Sequence, residues 1–189
     1  MSIVLLGSTS GSCTLQEQAV AGTTTLTLPT TSGTLITTAS SGQSIPRAAL
    51  PAGSVLQVVQ GITSTNTSTT STSYVDTTLS ASITPSSSSS KILIIVSQNL
   101  FISDGIASGA LIDVNIVRAS TQVIAFVSQL NRFPSTNAVS GNYSFQYLDS
   151  PSTTSATTYK TQFKSQTGAS VQTQYASCQS VITLMEIAA

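Results

Sequence analysis

The side chains with the charge for acid–base chemistry are six carboxylates: Glu17, Asp76, Asp104, Asp113, Asp149 and Glu186. Histidine is absent, so neither a Ser-His-Asp triad nor an imidazole metal site can be assembled. No two of the acids lie close in sequence on a helix that would align them. Asp76 and Asp113 fall in different β-prone segments, and only folding could bring them together as the paired acid and base of a glycoside hydrolase. Asp104 and Asp149 would make a thin calcium site, because no dense Asp/Asn loop surrounds either. Gly105 and Gly109 lack the following Lys-Ser/Thr of a phosphate cradle. Ser90-Lys91 follows from composition, and without a base partner none of the serines is activated. No catalytic, cofactor-binding or metal-ligating residue is assigned. The expectation is a non-enzyme that needs no cofactor.

Composition agrees with that reading. The chain has 189 residues, 35 Ser and 30 Thr among them. Charged residues make up 6%, against about 25% in ordinary soluble domains. Six Lys and Arg balance six Asp and Glu, and scattered cations do not form the basic stripe that nucleic acid requires. The longest apolar run, Ile92–Val96, is the length of one strand and far short of a membrane helix. Met1–Gly7 lacks the basic start of a secretory signal. Cys13 and Cys178 stand at opposite ends of the chain, and nothing in their spacing pairs them. Zero net charge removes colloidal repulsion, and a hydroxyl surface is desolvated more cheaply than a Lys/Glu surface. Both properties suit a protein that sits in an assembly.

The elements that must position these residues are strands. Residues 1–50 are rich in Gly, Ser and Thr, with short islands at Ile3–Leu6, Thr24–Leu28 and Thr34–Thr37 that are too small for a core. This stretch reads as an extended, β-prone N-terminal arm or docking region. Residues 51–189 read as one β-sandwich domain. Tyr74–Ile83 alternates apolar and polar over ten residues, the pattern of a half-buried strand. Lys91–Ser97 is apolar on both faces and so reads as central and covered on both sides. Further strands are predicted at 53–60, 110–119, 122–128, 142–148, 157–164, 170–176 and 180–187, with 62–73 a loop or solvent-facing strand. Strands of this length and spacing predict an all-β, antiparallel β-sandwich of jelly-roll type. Its packing core is predicted to include Val55, Leu79, Ile92, Ile94, Val96, Val123, Phe145 and Leu184. Tyr143 and Tyr147 are predicted as exposed contact residues, aromatic faces with a hydroxyl handle.

Several strings also resemble a known kind of module. Ala52–Gln60, Thr72–Pro85 and Ser88–Val96, with Asp149–Ser155, Thr158–Lys160 and Ile182–Ile187, resemble a β-rich virion module of tailed bacteriophages, especially phages of cyanobacteria. Gly11–Leu35 resembles a segment found ahead of such modules in fibre proteins. The resemblance implies a homotrimer on the particle surface, assembled in the host cytoplasm, with no enzymatic residues to carry over. Its partners would be itself and other virion proteins, such as a baseplate, tail adaptor or major capsid protein, with a host surface glycan or protein as a further contact. Neither nucleic acid nor membrane insertion is implied. The function expected is that of a short tail fibre or fibre tip. The alternative is a head decoration (cement) protein that clamps the capsid shell, and a polysaccharide depolymerase stands third.

Overall fold

The computed structural model describes residues 2–6, 12–16, 50–102, 111–128 and 138–189. The chain divides into two compact units, Met1–Ser44 and Ile45–Ala189. In the first, β1 (Ser2–Leu6) pairs antiparallel with β2 (Ser12–Gln16), Ser2 opposite Gln16. The islands at Thr24–Leu28 and Thr34–Thr37 lie outside the described residues.

The second unit holds ten strands: β3 (Val55–Thr63), β4 (Thr67–Thr69), β5 (Val75–Ile83), β6 (Lys91–Ile102), β7 (Ile112–Arg118), β8 (Thr121–Ser128), β9 (Val139–Asp149), β10 (Thr157–Ser165), β11 (Val171–Thr173) and β12 (Ser180–Ile187). All pairings are antiparallel and they are nested. The outermost long strands pair (β3 with β12), then β5 with β10, β6 with β9, and finally β7 with β8. The chain is therefore one long hairpin wound around the sandwich. Its inner turn is Ala119-Ser120, where Ala119 takes a left-handed φ of 54°. Lateral pairing of β12 with β6 and of β10 with β7 completes two facing sheets, β3-β12-β6-β9 and β5-β10-β7-β8. The short β4 and β11 extend the first sheet along the far half of β6. This is the jelly-roll arrangement of eight strands. The fold class is an all-β antiparallel sandwich of jelly-roll type.

Between the sheets, period-2 alternation delivers one face of each strand to the core. Leu79, Ala81 and Ile83 of β5 meet Ile92, Ile94 and Val96 of β6, with Ile116, Tyr159, Ile182 and Leu184. A second cluster gathers Leu100, Ile102, Ile112, Val114, Phe163 and Val171. Gln98 lies between them on β6, fully buried, its side-chain amide without a hydrogen-bond partner among the described residues. Phe145 packs against both clusters.

Of the predicted core, Leu79, Ile92, Ile94, Val96 and Leu184 are fully buried, and Val123 and Phe145 are partly buried against the first cluster. Val55 is a correction, being 52% exposed. Glu186 pairs with Gln57 but Ile187 with Val55, so Leu56 bulges out of register. The extra residue turns Val55 to the outer face beside Ile187. Strand β6 runs five residues past Ser97, because Gln98 and Asn99 are buried within it. Cys178 is a free, exposed thiol.

Candidate assembly face

The two outer faces of the sandwich differ in chemistry. On the four-stranded sheet most outward side chains are polar and bond one another, although Asn115 Oδ1 is buried with no partner among the described residues. Lys160 Nζ lies 2.7 Å from Asp76 Oδ2, Gln162 Nε2 donates to Asp76 Oδ1 at 2.7 Å, and Asn115 Nδ2 donates to Gln122 Oε1 at 2.9 Å. Asp113 takes Lys164 at 3.5 Å and a hydrogen bond from Gln166, and the Lys164 ammonium stands 4.9 Å from the Tyr74 ring centre. The lysine and glutamine hydrogen bonds hold the Asp76 carboxyl below its ordinary range. The charges on this face are spent on one another.

The outer face of the other sheet carries an apolar row. Cross-strand register places Val58, Met185, Leu93 and Leu148 in one row across β3, β12, β6 and β9. On one side of this row Ile187 flanks Val55; on the other Ile95 stands among Gln60, Thr183 and Gln146, and the Ile62–Val181 pair lies beyond them. Val58, Ile62 and Leu148 are 55%, 57% and 47% exposed. Lys91, at one end, is the only charged side chain in these rows. At the far end of the sheet Phe101 shows what covering looks like: the Tyr175 ring stacks on it at 3.8 Å and 8°. Isolated exposed hydrophobics are ordinary, but a contiguous patch across four strands marks an interaction surface. The two-faced apolarity of β6, read in the sequence as cover on both sides, has cover on one side among the described residues. The other side is this patch, and the outward Val181, Met185 and Ile187 of β12 were its second signal.

The described carboxylates are structural. Glu186 is fully buried. Its Oε1 accepts from the Ser86 N–H at 2.7 Å and the Ser86 hydroxyl at 2.6 Å, and its Oε2 accepts from Gln57 Nε2 at 2.6 Å. Burial pushes its pKa up, but hydrogen bonds from Ser86, Ser90 and Gln57 outweigh burial and hold it at about 2. This latch ties the 84–90 loop to β12. A folded pKa below the unfolded value means the latch contributes fully above about pH 4.5 and is lost as pH falls towards 2. The contribution is on the order of 3 kcal/mol. We predict that urea midpoints measured from pH 5 to pH 2 fall with acid, and that Glu186→Gln lowers the pH 5 midpoint and flattens the slope. An unchanged slope would refute the latch.

At the same end of the sandwich, Asp149 Oδ2 accepts from Arg118 Nη1 at 2.7 Å and from the Tyr159 hydroxyl at 2.6 Å. Asp149 belongs to one sheet and its two donors to the other, so this cluster pins the sheets together. Burial, reinforced by Asp149, pushes the Tyr159 phenol up and keeps it a neutral donor. Asp76 and Asp113, the sequence candidates for a carboxylate pair, lie on opposite sides of β10 and each has its own lysine. Asp104 lies outside the described residues, and Asp149 belongs to the inter-sheet pin. No group of three His, Cys, Asp or Glu able to hold a metal occurs among the described residues.

Tyr143 and Tyr147, expected as exposed contacts, are corrected in position. Both turn inward with Phe145 and pack against the core clusters, while Ser144, Gln146 and Leu148 face out.

No protein-family model matches the sequence, and no curated protein matches it. Among solved structures the chain is similar to the crystal structure of the infectious bursal disease virus VP2 subviral particle, at 12% identity and TM-score 0.38, over 76% of this chain and 42% of that one. It is similar to the structure of the Gt strain of that virus at 16% identity and TM-score 0.36, over 70% and 38%. For the Gx strain the values are 14% and 0.36, over 71% and 37%. The chain thus spans about two fifths of the chains it matches. At these values the likeness carries no argument about function. These three structures are of this virus and its VP2 particle, and none is of a tailed phage. The tailed-phage and cyanophage resemblance, and the tail-fibre role drawn from it, are corrected accordingly.

Proposed function

We propose that the protein is a non-catalytic structural component of a virus particle, acting in the shell by packing against neighbouring subunits, in the manner of a protein that clamps and stabilises a capsid. The observation that carries the reading is the apolar row Val58–Met185–Leu93–Leu148 across the outer face of the jelly roll. The jelly roll is a recurrent shell-building fold. The hydroxyl-rich surface with 6% charge supports the same reading, since it can be desolvated against protein at low cost. Other shell subunits are the partners it implies.

Cryo-electron microscopy of particles of the encoding virus tests this. The expected result is density for the eight-stranded sandwich in the shell, with the β3-β12-β6-β9 face against a neighbouring subunit. Absence of the chain from purified particles would refute the reading. So would density in which that face points to solvent.

A further inference from the structure

A second surface of the sandwich is built for a partner, and it is an edge. Four long strands end the two sheets: β3 and β9 in one, β5 and β8 in the other. Unpaired strand edges recruit other strands, and proteins protect them with bulges, charges, proline or shortness. Three of the four carry a register break: β3 at Leu56, β5 between the partners of Lys160 and Gln162, and β8 at Val123. The β3 and β5 edges also close on each other. Gln57 Nε2 donates to the Thr84 carbonyl at 2.7 Å, and Thr78 Oγ1 sits 2.9 Å from Thr63 Oγ1 and donates to the Thr65 carbonyl at 3.1 Å.

Strand β9 has none of these protections. It pairs with β6 over eleven consecutive residues, Val139–Asp149, without a register break. It contains no proline, lysine or arginine, and its one charge, Asp149, is turned inward onto Arg118 and Tyr159. No described strand pairs with its other edge. Towards β8 the described contact is the Phe126–Phe145 ring stack at 4.8 Å. Tyr143, Phe145 and Tyr147 line this side only partly buried.

We infer that β9 is a self-pairing seam: β9 of a second copy adds antiparallel to it across a two-fold axis and joins the two β3-β12-β6-β9 sheets into one. Only an extended main chain meets a row of main-chain donors and acceptors this long. A second copy fits because the inward row is aromatic and self-complementary. In the register centred on Phe145, Phe145 faces its own counterpart and Tyr143 faces Tyr147 of the second copy, the aromatic cross-strand pairing that stabilises sheets. The outward row Ser140, Asn142, Ser144, Gln146 and Leu148 carries no charge, so an isologous contact brings no like charges together. The seam deepens the shell reading above and rests on it for its purpose, but it is tested in solution without particles.

The test is sedimentation velocity of the full chain with two charged variants. Ser144 and Gln146 are exposed and would lie opposite each other across the axis. The wild type is expected to dimerise. S144K/Q146K and S144E/Q146E are each expected to weaken self-association roughly 100-fold through like-charge pairs, with unchanged circular dichroism. Their equimolar mixture is expected to recover a heterodimer. A wild type that stays monomeric at about 100 µM, near the top of the affinity range of weak specific pairs, overturns the seam. So does a dimer or trimer that persists in both variants. Hydrogen exchange of the wild type covers the case in which a variant fails to fold: protection of β9 amides should rise with protein concentration, and an increase confined to another strand overturns the proposal. Failure of the shell reading looks different, as a chain that dimerises through β9 yet is absent from particles.

Discussion

Ile94→Asp is expected to abolish cooperative folding. Ile94 is fully buried at the middle of β6, with Leu184 of β12 on one side and Tyr147 of β9 on the other. The cluster that surrounds it is hydrophobic. An aspartate there must either remain charged and unpaired or take up a proton against solvent pH, and it also loses the isoleucine's packing. The combined cost exceeds about 5 kcal/mol, comparable with the whole stability of a domain. The readout is soluble yield and the thermal transition by circular dichroism. The neighbouring Ile95→Asp points to the opposite face and should fold with a modest loss. A cooperatively melting Ile94→Asp, or equal damage from both variants, would refute the assignment of faces along β6.

Gly61→Val carries the second large effect. Gly61 lies on the inner face of β3, where the strand passes over β5. A Cβ there would overlap the Ser80 carbonyl oxygen and stand 3.1 Å from Ile182 Cγ2. The obstacle is backbone, so no rotamer change relieves it, and β3 must move away from β5. Overpacking of this kind costs about 3 kcal/mol or more, which lowers the melting temperature by roughly 10 °C for a domain of this size. The adjacent Gln60→Val, on the exposed outer face, should stay within about 0.5 kcal/mol of wild type. Equal melting temperatures for the two variants would show that the close approach does not exist in solution.

Much of the sandwich was legible in the sequence, for physical reasons. The alternation in Tyr74–Ile83 became the buried Thr77, Leu79, Ala81 and Ile83 of β5, since period 2 is a direct image of a pleated strand. The strand predicted at 180–187 is β12, which runs between β3 and β6. What was not legible depends on pairing between distant strands. The bulge at Leu56 that turned Val55 outward is a property of the β3–β12 ladder, and β3 alone gives no sign of it. The Arg118–Asp149–Tyr159 pin joins three strands from two sheets, so no sequence spacing announces it. The apolar face was half visible. Leu93 and Ile95 were noticed, but only register shows that they continue through Met185 to Val58. The phage resemblance rested on short strand-like strings of apolar, Ser and Thr residues. Exposed strands of many origins share that vocabulary, because Thr suits a pleated, half-solvated surface whatever the protein does.

The isolated Gln98 amide has a consequence for how the protein can vary. A polar group at that point divides the apolar interior between the Ile94 side and the Leu100 side, with Phe145 reaching across. Apolar cohesion is therefore weakest at one cross-section of the sandwich. The half built from Leu100, Ile102, Val114 and Phe163 can loosen while the half holding the inter-sheet pin and the Glu186 latch keeps its shape. Sub-global opening of this kind is ordinary in proteins, and here it has a defined boundary. Within that half, β4 and β11 pair along β6 and Val171 is fully buried, so β11 loosens together with the core it closes. The molecule can thus vary in shape at one end while the other keeps its form.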